Sequence, residues 1–206
     1  MTYVYAGGLA VLIAVGWLGH GVWRIGAVSQ GMPIGARAET ALLLVDLQTV
    51  FWDDGPYDDA AKAAAQVAIF REIDAAKAAG HPVVALRQEW SIPSTKVVAR
   101  LSMQGAAVEG TAGTGLADPF VGVADHVLAK RVQDGFETGE LDALLEQLNV
   151  GRLRIVGLDF CYCVQKTALA ARNRGYEVTV VRDATLASGP MAKATSAMLS
   201  QNVVLN

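Results

Sequence analysis

The sequence has few of the residues that mark several common classes of protein. It contains only two cysteines, Cys161 and Cys163, which cannot build a disulfide framework or a complete zinc site. The net charge is −3 and the basic residues are scattered, so no nucleic-acid partner is expected. No G-x-G-x-x-G follows the first strand-like run, which excludes the usual dinucleotide-binding loop. The scarcity of thiols is typical of a reducing compartment.

Charged side chains are also missing from Thr2 to Trp23, where His20 is the only titratable side chain. A helix of this length would span about 33 Å, enough to cross a hydrocarbon core of about 30 Å. Tyrosines and tryptophans lie towards both ends of the stretch, as they do at membrane interfaces. A cleaved signal peptide and a buried core helix are the alternatives, but no Lys or Arg precedes the run as a signal peptide requires.

These features predict three parts in the chain. Residues 1–24 are predicted to be a transmembrane anchor that contacts the membrane through residues 2–23, and the Gly-, Ser- and Pro-containing residues 25–39 a linker. Residues 40–206 form the remaining domain. Arg24 and Arg37 follow the span, and this positive charge places the domain on the cytoplasmic side of the membrane.

Apolar strand-like runs alternate with helical patterns after residue 39. Strands are predicted at 40–47, 82–87, 126–130, 153–158 and 177–182. Helices are predicted at 58–79, 140–148, 163–174 and 190–199, and residues 88–125 form a long loop of the kind that covers binding sites. This alternation predicts an α/β fold, with a mainly parallel, doubly wound sheet and helices on both of its faces.

An acid, an amine and a thiol follow three of these strands. Asp46 ends the first strand, Lys130 ends the third, and Cys163 comes shortly after the fourth. Carboxyl ends of parallel strands share one edge of a sheet, where open α/β sheets carry their chemistry. A carboxylate, an ammonium and a thiol at that edge are the parts of an activated cysteine nucleophile.

Each of the three residues also has an ordinary structural interpretation. Cys163 is placed in the first turn of a helix, where the dipole favours thiolate, but a buried cysteine also behaves as a small apolar side chain. Cys161 is the rival nucleophile. Asp46 could cap the following segment, and Lys130, which Arg131 follows, could be solvated.

Four segments carry a resemblance to a known family. They are Ala41-Leu-Leu-Leu-Val-Asp46-Leu-Gln48-Thr-Val-Phe51, Lys130-Arg-Val-Gln-Asp-Gly-Phe136-Glu-Thr138-Gly-Glu-Leu141, Val156-Gly-Leu-Asp-Phe-Cys-Tyr-Cys163-Val-Gln-Lys-Thr167-Ala168, and Gly175-Tyr-Glu-Val-Thr-Val-Val-Arg-Asp183-Ala184. The sequence after residue 40 resembles the isochorismatase-like cysteine hydrolases, which include nicotinamidases, N-carbamoylsarcosine and ureidoacrylate amidases, and isochorismatases.

The resemblance implies a three-layer α/β/α fold and a catalytic triad of Asp46, Lys130 and Cys163. It also implies a cis peptide at Leu158–Asp159 and an oxyanion site at the N–H groups of Tyr162 and Cys163. No cofactor is implied, and the expected partners are a small-molecule substrate and further copies of the chain in a homodimer or larger assembly. The residues that it implies for substrate binding are Gln48, Phe51, Trp90 and Phe136.

Two departures from the family pattern bear on the chemistry. Metal-dependent nicotinamidases carry an Asp-Trp-His-like segment after the second strand, whereas this chain has Glu89-Trp90-Ser91 and so lacks the imidazole. A metal site is therefore not expected. The pair Phe160-Cys161 replaces a Thr-Asp pair that is frequent in the family, which changes the pocket wall or its support.

The function predicted from the sequence is a cysteine-dependent hydrolase of an amide or related C–N bond in a small molecule, through a thioester on Cys163. An isochorismatase-type hydrolase of a vinyl ether is one alternative, in which Asp46 does the acid–base work. A catalytically silent, membrane-tethered binding module is the other.

Overall fold

The computed structural model describes residues 2–206, with side chains described from residue 12 onward. Seven α-helices are found in this part of the chain: α1 Thr2–Ile25, α2 Thr49–Trp52, α3 Asp59–Ala78, α4 Pro93–Ser102, α5 Glu140–Gln147, α6 Gln165–Asn173 and α7 Ala192–Ser200. Six strands accompany them: β1 Glu39–Val45, β2 Val83–Gln88, β3 His126–Lys130, β4 Val150–Gly157, β5 Glu177–Thr185 and β6 Val204–Leu205. A 3-10 helix covers Asp118–Phe120, and a π-helical turn, Phe160–Val164, leads into α6.

The strands form one sheet in the order β3-β2-β1-β4-β5-β6, and each neighbouring pair is parallel. The predicted α/β class and mainly parallel sheet are therefore confirmed. The chain winds outward from β1 on one side and from β4 on the other, so the winding direction changes between these two central strands. Ligand crevices of doubly wound sheets lie at this position, outside the carboxyl ends of the strands.

Strand β1 is buried on both faces because its alternate side chains pack into two separate cores. Leu43 and Val45 belong to the core that α5, α6 and α7 cover, whereas Leu42 and Leu44 pack beneath α3. Burial of one such leucine contributes about 1.5–3 kcal/mol. The two cores therefore hold the carboxyl end of β1 between the helices on the two faces of the sheet.

Close packing of β1 against β4 depends on a glycine at the end of β4. Gly157 has φ 109°, and a Cβ at this position would collide with the carbonyl oxygen of Val45. Glycine is the residue that adopts such a φ without steric cost. The carboxyl ends of the two central strands can therefore lie side by side, which brings the segments that follow them together.

The amino-terminal part of the chain packs against the domain beside this edge of the sheet. Ile25, near the end of α1, contributes to a third apolar cluster with Trp90 and with Val98 of α4. The Oγ and N–H of Ser29 both donate to Asp134 Oδ2, at 2.6 and 2.8 Å. Residues 26–38, most of the predicted linker, have no regular secondary structure but are attached to the domain by these contacts.

The prediction of a membrane anchor over residues 1–24 is not supported. Among the residues that the structure describes, no helix is both long enough and apolar enough to span a bilayer. Residue 1 lies outside the described residues.

Two features of the fold differ from the sequence prediction. The predicted loop 88–125 contains α4 and the short 3-10 helix, because Pro93 can start a helix even though its surroundings look loop-like. The helix expected from Cys163 onward begins earlier, at Phe160, where the Asp159 side chain accepts from the Cys161 N–H at 2.6 Å and caps it.

Candidate active site

Asp46, Lys130 and Cys163 come together at the carboxyl edge of the sheet. The Lys130 Nζ lies 3.0 Å from Asp46 Oδ2, with 1% and 2% of the two side chains exposed. Cys163 is 8% exposed, and its thiol is close enough to Asp46 and Lys130 for both to shift its pKa. The second oxygen of Asp46, Oδ1, is fully buried and has no hydrogen-bond partner among the described residues.

The ends of neighbouring strands supply the three groups. Asp46 directly follows β1 and has φ 54°, a left-handed conformation that Asp tolerates better than most residues. Lys130 is the last residue of β3 and pairs in register with Gln88, the last residue of β2. Cys163 lies in the first turn of the helical segment that follows β4. The alignment of parallel strands therefore places residues far apart in the sequence at one point.

Gln88 is a member of this site that the sequence analysis missed. Its Oε1 accepts a hydrogen bond of 2.5 Å from Lys130 Nζ, and its Nε2 donates to the Lys130 carbonyl at 3.2 Å. The side chain is fully buried and lines the same cavity as Asp46 and Cys163. Gln88 is uncharged, so its side chain alone did not indicate a role in catalysis. Its place at the end of β2, between the strands that end near Asp46 and Lys130, could have indicated that it belongs to the site.

The charges of the site depend on a balance between burial and pairing. Burial raises the pKa of Asp46 above its ordinary value, and the Lys130 ammonium only partly opposes this. Burial alone would lower the pKa of Lys130, but the neighbouring Asp46, and to a smaller extent Cys163, outweigh this effect, so the pKa of Lys130 is raised. Lys130 is therefore held as a cation, and the raised pKa of Asp46 increases its basicity.

The expectation of a readily formed thiolate at Cys163 is corrected by the structure. Burial, and then the negative charge of Asp46, raise the pKa of the Cys163 thiol, and the Lys130 ammonium only partly offsets them. The helix dipole acts on a side chain that is too buried and too close to a carboxylate for thiolate to dominate. The resting nucleophile is therefore a thiol with a base beside it.

The predicted oxyanion region contains both a confirmed and a corrected feature. The peptide bond Leu158–Asp159 is cis. The Tyr162 N–H, predicted as an oxyanion donor, instead donates to the carbonyl of Asp159 at 3.1 Å. The other predicted oxyanion donor, the Cys163 N–H, lies in the helical turn Phe160–Val164, and Cys163 lines the cavity described below.

Asp159 supports the loop that carries the thiol. Its carboxylate accepts hydrogen bonds from the N–H groups of Cys161 and Ser188, both at 2.6 Å, and from the Tyr57 hydroxyl at 3.2 Å. These bonds connect the segment before the nucleophile to the segment after β5. Asp159 thus fixes the backbone of the site.

A cavity of about 300 Å³ opens onto Asp46 and Cys163. Phe51 and Trp90, both predicted to bind substrate, line it together with Leu158, Asp159 and Tyr162. Further lining residues were not predicted, because loops that are distant in sequence contribute them: Pro56, Tyr57, Met103, Gln133 and Ser188. Its volume is at the lower end of the range of about 300–1,000 Å³ for small-molecule pockets.

Gln48 and Phe136, also predicted to bind substrate, do not line this cavity. The amide of Gln48 is used by the backbone: its Nε2 donates to the carbonyls of Gln88 and Thr114, and its Oε1 accepts from the Gln88 N–H at 2.6 Å. Phe136 is buried in the core beneath the Arg174 guanidinium, whose central carbon lies 4.6 Å from the ring centroid. Gln48 connects the end of β2 to the loop that contains Thr114, and Phe136 is a packing residue.

The residues of this site do not fit a bound metal ion. Among the described side chains, no three His, Cys, Asp or Glu residues are grouped as metal ligands. His81 and His126 lie near the starts of β2 and β3, at the opposite edge of the sheet from Asp46. A zinc ion at the active site would therefore lack imidazole ligands from either of them.

Comparisons with known proteins agree with this architecture. A family model described as an isochorismatase domain matches residues 40–203. The pyrazinamidase of Pyrococcus horikoshii, solved in complex with zinc, is 26% identical with a TM-score of 0.69, and the match covers 82% of this chain and 99% of that one. The N-carbamoylsarcosine amidase of Thermoplasma acidophilum has the same fold at 24% identity, with a TM-score of 0.69 and coverage of 82% and 96%. A cysteine hydrolase of Pseudomonas syringae pv. phaseolicola also shares the fold at 19% identity, with a TM-score of 0.69 and coverage of 87% and 92%.

Proposed function

The chain belongs to the isochorismatase family of hydrolases, and we propose that it cleaves an amide or related C–N bond of a small molecule through a thioester on Cys163. One observation carries this proposal: a buried thiol lies against a buried Asp46–Lys130 ion pair and faces a small cavity. A nucleophile, a base and a fixed cation are thereby combined at one point. The amidases among its structural relatives support the choice of bond.

In the first half of the reaction, the thiol becomes a nucleophile only as it attacks. The Cys163 proton moves to Asp46, whose buried Oδ1 is free to accept it and whose raised pKa increases its basicity. Sulfur forms a bond to the substrate carbonyl carbon, and the electron pair of the C=O bond moves to oxygen. The Cys163 N–H stabilises this oxyanion.

The tetrahedral intermediate then expels the amine. The C–N bond breaks as Asp46 returns its proton to the leaving nitrogen, and an acyl group remains on Cys163 as a thioester. Lys130 keeps its proton throughout, since its pKa is raised, and its charge stabilises both the Asp46 carboxylate and the developing negative charge on sulfur.

The second half uses water as the nucleophile. Asp46 accepts a proton from the water while the water oxygen attacks the thioester carbonyl carbon, and the C–S bond then breaks. The proton returns to sulfur, which leaves a carboxylic acid product and regenerates the Cys163 thiol. One water is consumed for each C–N bond cleaved, and no external oxidant, reductant or cofactor is needed.

The thioester gives the proposal a direct test. Full-length protein is incubated with small amides, including nicotinamide, pyrazinamide, N-carbamoyl and ureido compounds, in the presence of hydroxylamine. A thioester is intercepted as the hydroxamate. In a parallel acid-quenched sample without hydroxylamine, a mass increment on the peptide that contains Cys163 locates the acyl group.

Two variants serve as matched thiol deletions. Cys163→Ala should abolish turnover and hydroxamate formation, whereas Cys161→Ala should retain both, because the Cys161 sulfur faces the carbonyls of Gly189 and Pro190 instead of Asp46. Undiminished turnover in Cys163→Ala would refute the thioester mechanism. Vinyl-ether cleavage by that variant would favour the isochorismatase-type alternative.

A further inference from the structure

A second cavity, of about 530 Å³, lies directly beside the active-site cavity. Gln133 and Tyr162 line both cavities and so form the partition between them. Tyr162 is half exposed and is the residue immediately before the nucleophile, so its Cα is about 3.8 Å from that of Cys163. A substrate bound at the thiol therefore needs to extend past this partition to reach the second cavity.

The second cavity is cationic, and we call it the lysine cavity after Lys166 and Lys193. Within the part of the chain that the structure describes, neither lysine forms an ion pair, and no Asp or Glu lines the cavity. Gln133 and Gln165 add amide groups to its wall. In a chain whose net charge is −3, this is a local concentration of uncompensated positive charge with hydrogen-bonding groups beside it.

The end of α1 forms one wall of the lysine cavity and is held in place. Val22 and Ile25 line the cavity, and the Gln133 N–H donates to the Ile25 carbonyl at 3.0 Å. Arg24 is neutralised by Glu137 at 2.8 Å. This wall comes from residues that precede the matched family domain, 40–203, so the cavity is not built by that domain alone.

We propose that the lysine cavity binds a carboxylate at the far end of the substrate, while the scissile carbonyl lies at Cys163. This inference rests on the proposed function and specifies its substrate class: a small amide with an anionic end. Lys166 supplies a partly buried charge, Lys193 an exposed one, and the two glutamines supply hydrogen bonds to carboxylate oxygens. The partition residues Gln133 and Tyr162 would then lie along the middle of the substrate.

Binding can be measured without turnover by calorimetry on full-length Cys163→Ala. The probes are benzoyl amides of glycine, β-alanine and γ-aminobutyrate, each compared with its neutral primary amide. These carry the carboxylate one to three methylenes beyond the amide nitrogen. We expect at least one acid to bind about ten-fold more tightly than its neutral counterpart, and the difference to shrink with added salt because the charges are partly exposed. Equal affinities across all three pairs would overturn the proposal.

Charge removal identifies the lysines responsible. Lys166→Met and Lys193→Met should each weaken binding of the preferred acid about two- to five-fold, the range for a partly exposed ion pair, and leave the neutral amide unchanged. Lys77→Met is the matched control, because Lys77 is exposed at the opposite edge of the sheet. An equal loss in the control would assign the effect to net charge and refute the site.

Filling the cavity tests its position independently of charge. A Cβ on Gly26 would meet only the Gln133 Oε1, at 3.8 Å, so Gly26→Leu can place its side chain into the cavity without backbone strain. We expect it to weaken binding of the acid about ten-fold or more, whereas Gly19→Leu, in open surroundings on α1, should have no effect. Unchanged affinity in Gly26→Leu would place the carboxylate elsewhere.

Failure of this inference differs from failure of the proposed function. If neutral amides are hydrolysed through Cys163 but the acids have no advantage, only the lysine cavity is dismissed. If Cys163→Ala turns over as fast as the parent protein, the mechanism itself is dismissed, and with it the assignment of the carboxylate as part of a substrate.

Discussion

The Lys130 ammonium lies 3.0 Å from Asp46 Oδ2, in a place where both side chains are almost completely removed from solvent. A buried ion pair of this kind contributes little net stability, because desolvation of the two charges offsets their attraction. Its position at the carboxyl edge of the sheet agrees with the proposed chemistry, since the same carboxylate lies beside the only buried thiol among the described residues.

Removal of one member of this pair should destabilise the fold strongly. Lys130→Met leaves Asp46 buried without a counter-charge and should lower the free energy of unfolding by about 3–5 kcal/mol. The double variant Asp46→Asn/Lys130→Met buries no charge, and Asn tolerates the φ of 54° at position 46.

Urea denaturation of the two variants provides the measurement. We expect the double variant to recover most of the lost stability while remaining inactive. If it were as unstable as Lys130→Met alone, the instability would come from lost packing instead of an uncompensated charge.

A second prediction concerns the reactivity of the thiol. Asp46→Asn removes a negative charge that raises the pKa of Cys163 and leaves the Lys130 ammonium that lowers it, so the pKa should fall. Alkylation by iodoacetamide at pH 8, in a Cys161→Ser background, should therefore be faster in Asp46→Asn than in the parent, although turnover is lost. Slower alkylation would show that Asp46 promotes the thiolate in the resting protein.

The same charges determine how activity varies with pH. Asp46 acts as a base only when ionised, and burial raises its pKa, so kcat/KM should rise as pH increases through a value above the ordinary 3.9 or so of an aspartate. The raised pKa of Lys130 moves any loss of its charge to a pH above about 10.4. An acid limb centred at or below about pH 4 would contradict the assignment of Asp46 as the base.

The sequence was sufficient to locate the triad because its evidence is local. Each of the three residues follows a buried apolar run, and parallel strands bring their carboxyl ends together without further information. Strand β3 has the predicted bounds, His126–Lys130. The family resemblance, now confirmed, rested on the same segments.

Phe51, Trp90 and the cis peptide were also predicted, but other parts of the site depend on contacts between distant residues and could not be. Gln48 turns away from the cavity to bond the backbone of Gln88 and Thr114, which are 40 and 66 positions away. The end of α1 joins the domain through Arg24 and Glu137, 113 positions apart. A hydropathy pattern reports how apolar a segment is, but not which distant groups it contacts.

A fourth prediction concerns Gln88, which positions Lys130 through the 2.5 Å bond to its Nζ. Gln88→Met retains the size of the side chain but removes the acceptor. Loss of one hydrogen bond to a charged group, about 1.5–3 kcal/mol, should lower kcat about 10- to 100-fold with a smaller change in KM. Gln88→Glu restores an oxygen acceptor for Lys130 and should retain more activity than Gln88→Met, as measured by steady-state kinetics. Equal activities in the two variants would exclude this role.

The last prediction concerns the attachment of the amino-terminal segment through Ser29. Burial raises the pKa of Asp134, and the two hydrogen bonds from Ser29 oppose that shift by stabilising the carboxylate. Ser29→Ala removes the Oγ donor, so the folded protein should bind the Asp134 proton still more tightly. The hydrogen bond is stronger to the carboxylate than to the neutral acid, so its loss matters most once Asp134 is ionised.

The sign of the pH dependence follows from linkage. A folded-state pKa raised above the unfolded value contributes stability that is fully present below the unfolded pKa and is lost as pH rises through the folded pKa. Ser29→Ala moves the folded-state pKa of Asp134 further upward, so the destabilisation that it causes should grow with pH, from a small value near pH 4 to about 1.5–3 kcal/mol at pH 8.

Urea denaturation of the full-length protein at both pH values measures this difference. Ser200→Ala, at an exposed hydroxyl that bonds only to the carbonyl of Ala197 in its own helix, is the matched control and should be nearly independent of pH. A destabilisation by Ser29→Ala that is equal at pH 4 and pH 8 would contradict this prediction, because the Ser29 hydroxyl would then stabilise the carboxylate of Asp134 no more than its neutral acid.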